Sequence, residues 1–281
     1  MPHATLEGVS LRYELEGEGE PIALVHGSWG DHHNWDLVAP KLARSFRVLR
    51  YDRRGHSEST FDGPQYVKED LADLAGLIRH FDLAPAHVVG NSFGGTLVLK
   101  LAAKEPTLFR TLTVHEPPIV GLLEGDPLLE AAGARMRAVA DLLRIGEMEA
   151  GAKLFVETVG LGPGAWDELP QLQKDTFVRN ARTWLDEIDD PETFTIDLDG
   201  LGRFDKPALL TAGDKSPPIF APILEKIHAA MPTSRAMTIA GVGHVPHITR
   251  PDDWVDRVTR FARGVLSASM KESETCSLTL A

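Results

Sequence analysis

Cysteine is nearly absent from this chain: Cys276 is the only one among its 281 residues. A single cysteine excludes an intramolecular disulfide, and the polar segment around it offers nothing that would activate a thiol. Cationic residues are also scarce: 29 lysines and arginines stand against 41 aspartates and glutamates, which gives a net charge of −12. This acidic balance argues against nucleic acid or an anionic membrane as a partner.

Long hydrophobic runs are missing as well. No stretch reaches the roughly 20 apolar residues that a transmembrane helix needs. The first twenty residues lack the basic start and the apolar core of a secretory signal. We therefore expect a cytoplasmic protein with no membrane partner. Its apolar share of 43% and charged share of 25% are those of an ordinary globular protein.

Short apolar runs alternate with amphipathic helical patterns along most of the chain. One helical pattern covers residues 70–83, where apolar residues recur three and four positions apart. Strands that alternate with helices predict an α/β fold, with a mostly parallel sheet and helices on both faces. Residues 4–15 instead predict a leading antiparallel hairpin. The predicted strands of the parallel sheet cover residues 22–26, 46–51, 86–90, 111–115, 208–212 and 236–240.

The alternation stops between residues 117 and 203, where only helical patterns occur. A simple crossover between two strands seldom needs so many residues, so we interpret this segment as a helical lid inserted into the sheet-forming core. The predicted organisation is a first core part at residues 1–116, the lid at 117–203, a second core part at 204–267 and a flexible tail at 268–281.

The most informative motif is Gly-Asn-Ser-Phe-Gly at residues 90–94, which follows one predicted strand and precedes one predicted helix. A serine on so tight a turn has strained backbone angles, and the flanking glycines relieve clashes with neighbouring backbone. The hydroxyl of Ser92 would lie at a helix N-terminus, where free N–H groups favour developing negative charge. The motif is typical of a catalytic nucleophile. Because a pattern this short also occurs by chance, the assignment depends on whether the sequence also supplies a base and an acid.

A serine nucleophile needs a base, and that base needs a carboxylate to orient it. His244 follows a predicted strand in a loop that also contains Gly241 and Gly243, and Asp214 directly follows the preceding predicted strand. Both side chains would emerge at the same edge of the sheet as Ser92, in the chain order serine, aspartate, histidine. We therefore predict a catalytic triad of Ser92, Asp214 and His244.

Two other residues compete for these roles. His247 is a rival base close after His244, although its position before Pro251 suits a packing role better. Glu116 also ends a predicted strand, directly after His115, and is the second choice for the acid.

The oxyanion formed during acyl transfer needs two hydrogen-bond donors. We expect one to be the backbone N–H of Phe93, immediately after the nucleophile. The second should come from the loop after the first parallel strand, where the N–H of Ser28 is preferred to that of Trp29. The ring of Trp29 is also a candidate for lining a largely apolar substrate pocket, and His26 is expected to brace the loop through side-chain hydrogen bonds.

Neither a metal nor any other cofactor is expected. His26, Asp31, His32 and His33 are metal-ligand residue types, but their spacing differs from that of a dinuclear metallohydrolase. We expect His32 and His33 to begin a solvent-facing helix instead.

Together these motifs resemble the α/β-hydrolase superfamily, and in particular its lidded members with a serine nucleophile. The resemblance implies the α/β-hydrolase fold and a cofactor-independent serine hydrolase of a small carboxylic ester or lactone. It extends over residues 4–266 and rests on the segments at residues 26–29, 51–57, 90–95, 213–214 and 243–244.

The same resemblance leaves other activities open. Epoxide hydrolases and haloalkane dehalogenases of this fold carry an aspartate nucleophile, so Ser92 argues against both. The turn around Ser92 is similar to that of carbon–carbon bond hydrolases, but Val245 stands where those relatives carry tryptophan. A perhydrolase or acyltransferase would use the same triad, and a ligand-sensing protein would use the same pocket with little turnover. The substrate and the oligomeric state do not follow from the sequence.

Overall fold

Runs of apolar and β-branched residues form the central sheet of the computed structural model, which describes residues 2–264. In chain order the strands are β1 (His3–Leu6), β2 (Val9–Glu16), β3 (Glu20–Val25), β4 (Phe46–Tyr51), β5 (Ala86–Asn91), β6 (Phe109–His115), β7 (Ala208–Gly213) and β8 (Ser234–Ile239). These eight strands pair in the order β1-β2-β4-β3-β5-β6-β7-β8. Strand β2 pairs antiparallel with β1 and β4, and the remaining neighbours are parallel.

The predicted α/β fold and the leading antiparallel hairpin are therefore both present. Each strand predicted for the parallel sheet overlaps an observed one, and β4 matches the prediction at both ends. The helix predicted at residues 70–83 begins and ends three residues earlier, at Val67–His80. It ends there because Phe81 leaves helical geometry and Asp82 takes a positive φ of 52°, which a helix cannot continue through.

Eleven α-helices accompany the strands within residues 2–264. They are α1 (Ala39–Leu42), α2 (Val67–His80), α3 (Phe93–Lys104), α4 (Pro127–Arg144), α5 (Met148–Phe155), α6 (Ala165–Glu168), α7 (Gln171–Asp189), α8 (Leu198–Gly202), α9 (Phe220–Ala230), α10 (Pro246–Thr249) and α11 (Pro251–Ala262). Short 3-10 helices cover His32–Trp35, Pro106–Leu108 and Val120–Leu123, and a π-helix covers Val156–Gly160.

The sheet is buried on both faces, because successive side chains of a strand point to opposite sides. In β3, Ala23 and Val25 pack into a core shared with α2, α3 and α9. Ile22 and Leu24 pack into a second core on the other side, shared with α1 and α11. This double burial explains why β3 is a nearly continuous apolar run.

Between β6 and β7 the chain forms helices, and we refer to residues 117–203 as the lid segment. Most of this segment has an apolar core of its own, which includes Val139, Leu143, Ala152 and Trp184. Its last helix, α8, packs instead against α3 and α9 of the main body. The boundaries of the lid segment and its covering role stay predictions.

The parallel strands end at one edge of the sheet, and the predicted site residues follow those ends. Ser92 follows β5, Glu116 follows β6, Asp214 follows β7, and His244 lies in the loop after β8. The loop after β3 carries Ser28 at the same edge. None of the described helices is both long and apolar enough to cross a membrane. The predicted tail at residues 268–281, with Cys276, lies outside the described residues, as do residues 265–267.

Buried neutral histidines make the stability of this fold depend on pH. Burial, together with repulsion from His115 and His244, lowers the pKa of His247 to about 3. Burial and the charge of Arg53 lower the pKa of His26 to about 3. Burial likewise lowers that of His115 to about 4. Below pH 6.5 the unfolded chain therefore binds protons that the folded protein does not, so the free energy of unfolding falls as the pH falls.

We expect the substitution His247→Phe to reduce this acid sensitivity. The ring of His247 is fully buried and packs against Trp35 with ring centroids 4.5 Å apart. Its two nitrogens have no hydrogen-bond partner among residues 2–264. Between pH 7.5 and pH 5, urea unfolding should show a loss of stability smaller by about 2 kcal/mol in the variant than in the wild type. The substitution His80→Gln, at an exposed histidine, serves as the control. An unchanged pH dependence in His247→Phe would show that His247 does not cause this acid sensitivity.

Candidate active site

Ser92 occupies a strained turn between β5 and α3. Its backbone angles are φ 54° and ψ −127°, outside the regions that most residues adopt. A Cβ atom on Gly90 would lie 2.5 Å from the carbonyl oxygen of Gly94, and one on Gly94 would lie 2.2 Å from that of Val25. Only glycine fits at these two positions. The N–H of Ser92 donates to the carbonyl of His115 at 2.8 Å, which ties the turn to the end of β6.

Of the two candidate bases, His244 is the one whose ring is hydrogen-bonded to a buried carboxylate. Its Nδ1 lies 2.7 Å from Oε2 of Glu116. The imidazole stacks on the ring of Phe220, with centroids 4.8 Å apart and an interplanar angle of 19°. The carbonyl oxygen of His244 accepts a hydrogen bond from Nδ2 of Asn91 at 2.9 Å, so the loop of the histidine is attached directly to the residue before Ser92.

Glu116 is fully buried and held at both carboxylate oxygens. Oε1 accepts the backbone N–H of Gly213 at 2.7 Å, while Oε2 faces His244. Burial alone raises the pKa of Glu116, but the hydrogen bond from His244 and the adjacent His115 ring outweigh it, so the pKa lies below its usual value. The carboxylate is therefore charged at neutral pH, and it can fix the ring of His244 and stabilise its protonated form.

Asp214, the acid predicted from the sequence, is not in contact with His244. Its side chain is exposed at the end of β7, and its Oδ1 accepts the N–H of Gly241 at 2.7 Å. The predicted pairing of Asp214 with His244 is therefore wrong, and Glu116, the second candidate for the acid, takes that position. The reason is strand order: β6 lies between β5 and β7, so Glu116 emerges next to the serine turn and fills the space facing His244.

Ser92 and His244 are connected by hydrogen bonds of neighbouring residues and not by a direct bond. Within residues 2–264, Ser92 Oγ makes no hydrogen bond to the His244 ring, and the link between them is the Asn91 side chain. The carbonyl oxygen of Gly243 also accepts from Nε2 of His115 at 3.2 Å, which fixes the loop of His244 from a second side. Catalytic hydrogen bonds of this kind are often long in the free enzyme and shorten when substrate binds.

The loop expected to supply the second oxyanion donor lies against the nucleophile. A Cβ atom on Gly27 would lie 3.0 Å from Cβ of Ser92 and 3.6 Å from its Oγ. His26 braces this loop, because its Nε2 accepts the N–H of Arg53 at 2.9 Å while its Nδ1 bonds the carbonyl of Gly27 at 2.8 Å. Phe93 begins α3, so its N–H has no partner within the helix. The roles of Phe93 and Ser28 as oxyanion donors stay predictions.

Trp29 does not line the pocket, which corrects the sequence prediction. Its side chain has 0% exposure and belongs to the core of the lid segment. The indole stacks on Phe155 with centroids 4.8 Å apart and lies 5.5 Å from the ring of Trp184. Its backbone has a positive φ of 67°. The ring therefore attaches the loop after β3 to the lid segment.

His244 instead faces an open pocket of about 570 Å³ between the lid segment and the edge of the sheet. This volume is in the usual range for small-molecule sites. The lining mixes apolar and polar groups. It includes residues 157–163 of the lid segment, residues 215–217 after β7, residues 243–245 around the histidine, Arg135 and Thr249.

A cluster of potential metal ligands lies next to the loop after β3. Single donor atoms of Asp31, His32 and Asp52 lie within 4.8 Å of one another. His32 is buried rather than solvent-facing, and its Nδ1 lies 2.6 Å from Asp52. Burial lowers the pKa of His32, but the bond to Asp52 outweighs it and the pKa lies above its usual value. Asp52 also accepts the backbone N–H of His32 at 2.8 Å, so His32 and Asp52 form a hydrogen-bonded pair.

The comparisons with known proteins agree with this architecture. A model of the alpha/beta hydrolase family matches residues 22–257. The chain belongs to this family. Its membership confirms the expectation of an enzyme of the hydrolase class, and the eight-stranded sheet confirms the fold.

Two curated relatives illustrate the range of similarity. The chain is 35% identical over 127 residues to the uncharacterized hydrolase YraK of Bacillus subtilis (strain 168), an alignment that covers 44% of this chain and 47% of that protein. It is 26% identical over 279 residues to the sn-1-specific diacylglycerol lipase ABHD11 of Mus musculus, covering 92% of this chain and 87% of that protein. The chain thus spans about half of the first relative and most of the second.

Solved structures share the fold over nearly the whole chain. One is Est816, described as an N-acyl homoserine lactone degrading enzyme, with a TM-score of 0.76, 21% identity and coverage of 92% of this chain and 100% of that one. Another is a hydrolase from Pseudomonas aeruginosa PA01, with a TM-score of 0.75, 24% identity and coverage of 94% and 98%. At this level of identity the similarity shows the fold alone.

The position of Glu116 leads to a prediction that distinguishes Glu116 from Asp214 as the catalytic acid. Glu116→Gln removes the charge that faces His244 and should lower kcat for an activated ester by about 10²- to 10⁴-fold. Asp214→Asn keeps an oxygen for the N–H of Gly241 and should change kcat by less than about 5-fold. Steady-state hydrolysis of a p-nitrophenyl ester measures both. The reverse ranking of the two variants would restore Asp214 as the acid.

Proposed function

We propose that the protein is a cofactor-independent serine hydrolase of small carboxylic esters or lactones, with Ser92, His244 and Glu116 as its catalytic triad. The observation that carries the proposal is the buried contact between Glu116 and His244, in a loop bonded to the residue before Ser92. The carboxylate and the imidazole are paired as a catalytic triad requires, and the proposal adds the hydroxyl of Ser92 as the third member. The pocket beside His244 gives the acyl or alcohol group a place to bind.

In the first half of the proposed reaction, Ser92 Oγ attacks the carbonyl carbon and His244 Nε2 takes the hydroxyl proton. A bond forms between Oγ and carbon, and the carbonyl electrons move onto the oxyanion, which the N–H groups of Phe93 and Ser28 stabilise. Glu116 balances the positive charge that develops on the imidazole. When the tetrahedral intermediate collapses, the carbon–oxygen bond to the alcohol breaks and His244 gives its proton to that oxygen.

In the second half, a water molecule attacks the acyl-enzyme. His244 removes a proton from the water, a second tetrahedral intermediate forms, and its collapse returns the proton to Ser92 Oγ and releases the acid. For a lactone the alcohol and the acid belong to one molecule, so a single ring-opened hydroxy acid leaves. A relative described as a diacylglycerol lipase supports the ester class, and a structural neighbour described as a lactone-degrading enzyme is the reason to test lactones as well.

Labelling with a fluorophosphonate tests the nucleophile directly. Wild-type protein should gain one phosphonyl group by intact mass, and Ser92→Ala should gain none. Ser92→Ala should also lower kcat on a panel of p-nitrophenyl esters and γ- and δ-lactones by about 10⁴-fold or more. Ser45→Ala, a serine preceding β4 at the opposite edge of the sheet, is the matched control and should behave like the wild type.

Three outcomes would contradict the proposal. Wild-type activity in Ser92→Ala would exclude the mechanism. Labelling at Ser92 without turnover of any ester or lactone would favour a ligand-sensing role. Faster transfer of the acyl group to an added alcohol or to peroxide than to water would favour an acyltransferase or a perhydrolase.

A further inference from the structure

One face of helix α7 in the lid segment contacts the loop that carries the candidate oxyanion donor. Nδ2 of Asn180 donates to the carbonyl oxygens of Trp29 at 3.2 Å and Gly30 at 2.9 Å. Glu187 lies about two turns further along the same face. Its Oε2 accepts a hydrogen bond from Oγ of Ser28. Residues 28–30 are therefore held by side chains of the lid segment as well as by the core.

Glu187 also pairs with an arginine that touches the other candidate donor. Its Oε1 accepts from Nη2 of Arg53, and the two side chains are only 3% and 0% exposed. The guanidinium of Arg53 lies over the ring of Phe93, 4.7 Å from the centroid. The backbone N–H of Arg53 donates to Nε2 of His26, the histidine that braces the oxyanion loop.

Arg53 stays charged in this environment. Burial alone lowers its pKa, but Asp70, whose Oδ2 lies 3.1 Å from Nη1, and Glu187 more than compensate, so the pKa is raised. Without Glu187, Arg53 would keep only Asp70 as an ion-pair partner within residues 2–264, and a buried charge with less compensation is costly. If α7 moved away from the core, Arg53 would lose Glu187 and Ser28 would lose its hydrogen-bond acceptor at the same time.

We propose that Glu187 and Arg53 form a positioning pair, which holds Ser28 and Phe93 at the spacing that the oxyanion requires and makes the docking of α7 a condition for fast turnover. The proposal rests on the serine hydrolase function proposed above. Neither residue reacts: Glu187 acts through Ser28, and Arg53 acts through the ring of Phe93. The alternative is a purely structural role, in which the pair only attaches the lid segment to the core. In that case removing the pair lowers stability but leaves the chemical step intact.

Substitutions at position 187 separate these two possibilities. Glu187→Ala should lower kcat for a small p-nitrophenyl ester by about 10- to 100-fold, with KM changed by less than about 3-fold, because the oxyanion is stabilised mainly in the transition state. The rate constant for fluorophosphonate labelling of Ser92 should fall in parallel. Glu187→Gln keeps the size and an oxygen for Ser28 but removes the charge, so it should fall between the wild type and Glu187→Ala.

Asp189→Asn is the matched control on the same helix. Asp189 is exposed and pairs with Arg144 within the lid segment at 3.0 Å, so its loss affects the lid segment without touching the oxyanion loop. It should change kcat by less than about 2-fold. All variants are compared by thermal unfolding, and Glu187→Gln provides the test if Glu187→Ala does not fold.

A double-mutant cycle with Ser28→Ala tests whether Glu187 acts through Ser28. Ser28→Ala keeps the backbone N–H but removes the hydroxyl that Glu187 holds, and it should lower kcat by about 5- to 20-fold. If Glu187 works through this contact, the double variant should be no slower than the slower single variant. Effects that multiply would show that the two residues act independently and would overturn the proposal.

The failure of this proposal can be distinguished from the failure of the proposed function. If the wild type hydrolyses esters, Ser92→Ala is inactive and Glu187→Ala keeps the wild-type kcat, only the positioning role is wrong. If Glu187→Ala loses thermal stability but its labelling rate is unchanged, the pair is purely structural. If the wild type hydrolyses no ester or lactone, the serine hydrolase function itself fails.

Discussion

The contact between Glu116 and His244 is the interaction on which the rest of the site depends. A fully buried carboxylate is costly unless its oxygens are satisfied. Here one oxygen accepts the N–H of Gly213 and the other faces His244, so two neighbouring strand ends are used to keep one charge in place. That charge orients the imidazole, while the hydrogen bond from Asn91 fixes the histidine loop against the serine turn.

The nucleophile turn and the lid segment are joined to this centre by different means. Asn91 attaches the histidine loop directly to the serine turn, and Gly27 lets the oxyanion loop approach Ser92 closely. The lid segment reaches the same loop through Asn180 and Glu187 on one helix face and through the ring of Trp29 in its own core. In the proposed mechanism the core thus supplies the reacting groups, and the lid segment holds the loop beside them.

The sequence carries enough information for the fold and for the tight turn at Ser92, because both depend on local patterns. Alternating strand and helix periods predict a parallel sheet, and the glycines around Ser92 mark a turn that other residues could not adopt. The choice between Asp214 and Glu116 depends on which strands are neighbours, and no local pattern encodes strand order. The contacts of Trp29 and Glu187 could not be predicted for a similar reason. The type of a residue does not show which distant surface its side chain will contact.

A crystal structure of the protein covalently inhibited by a fluorophosphonate would test the central claim most directly. The account predicts phosphorus bonded to Ser92 Oγ, with the phosphonyl oxygen within hydrogen-bond distance of the N–H groups of Phe93 and Ser28. It also predicts that His244 keeps Nδ1 on Glu116 while Nε2 faces the adduct. A ring of His244 turned towards Asp214, or an adduct on a different residue, would contradict it.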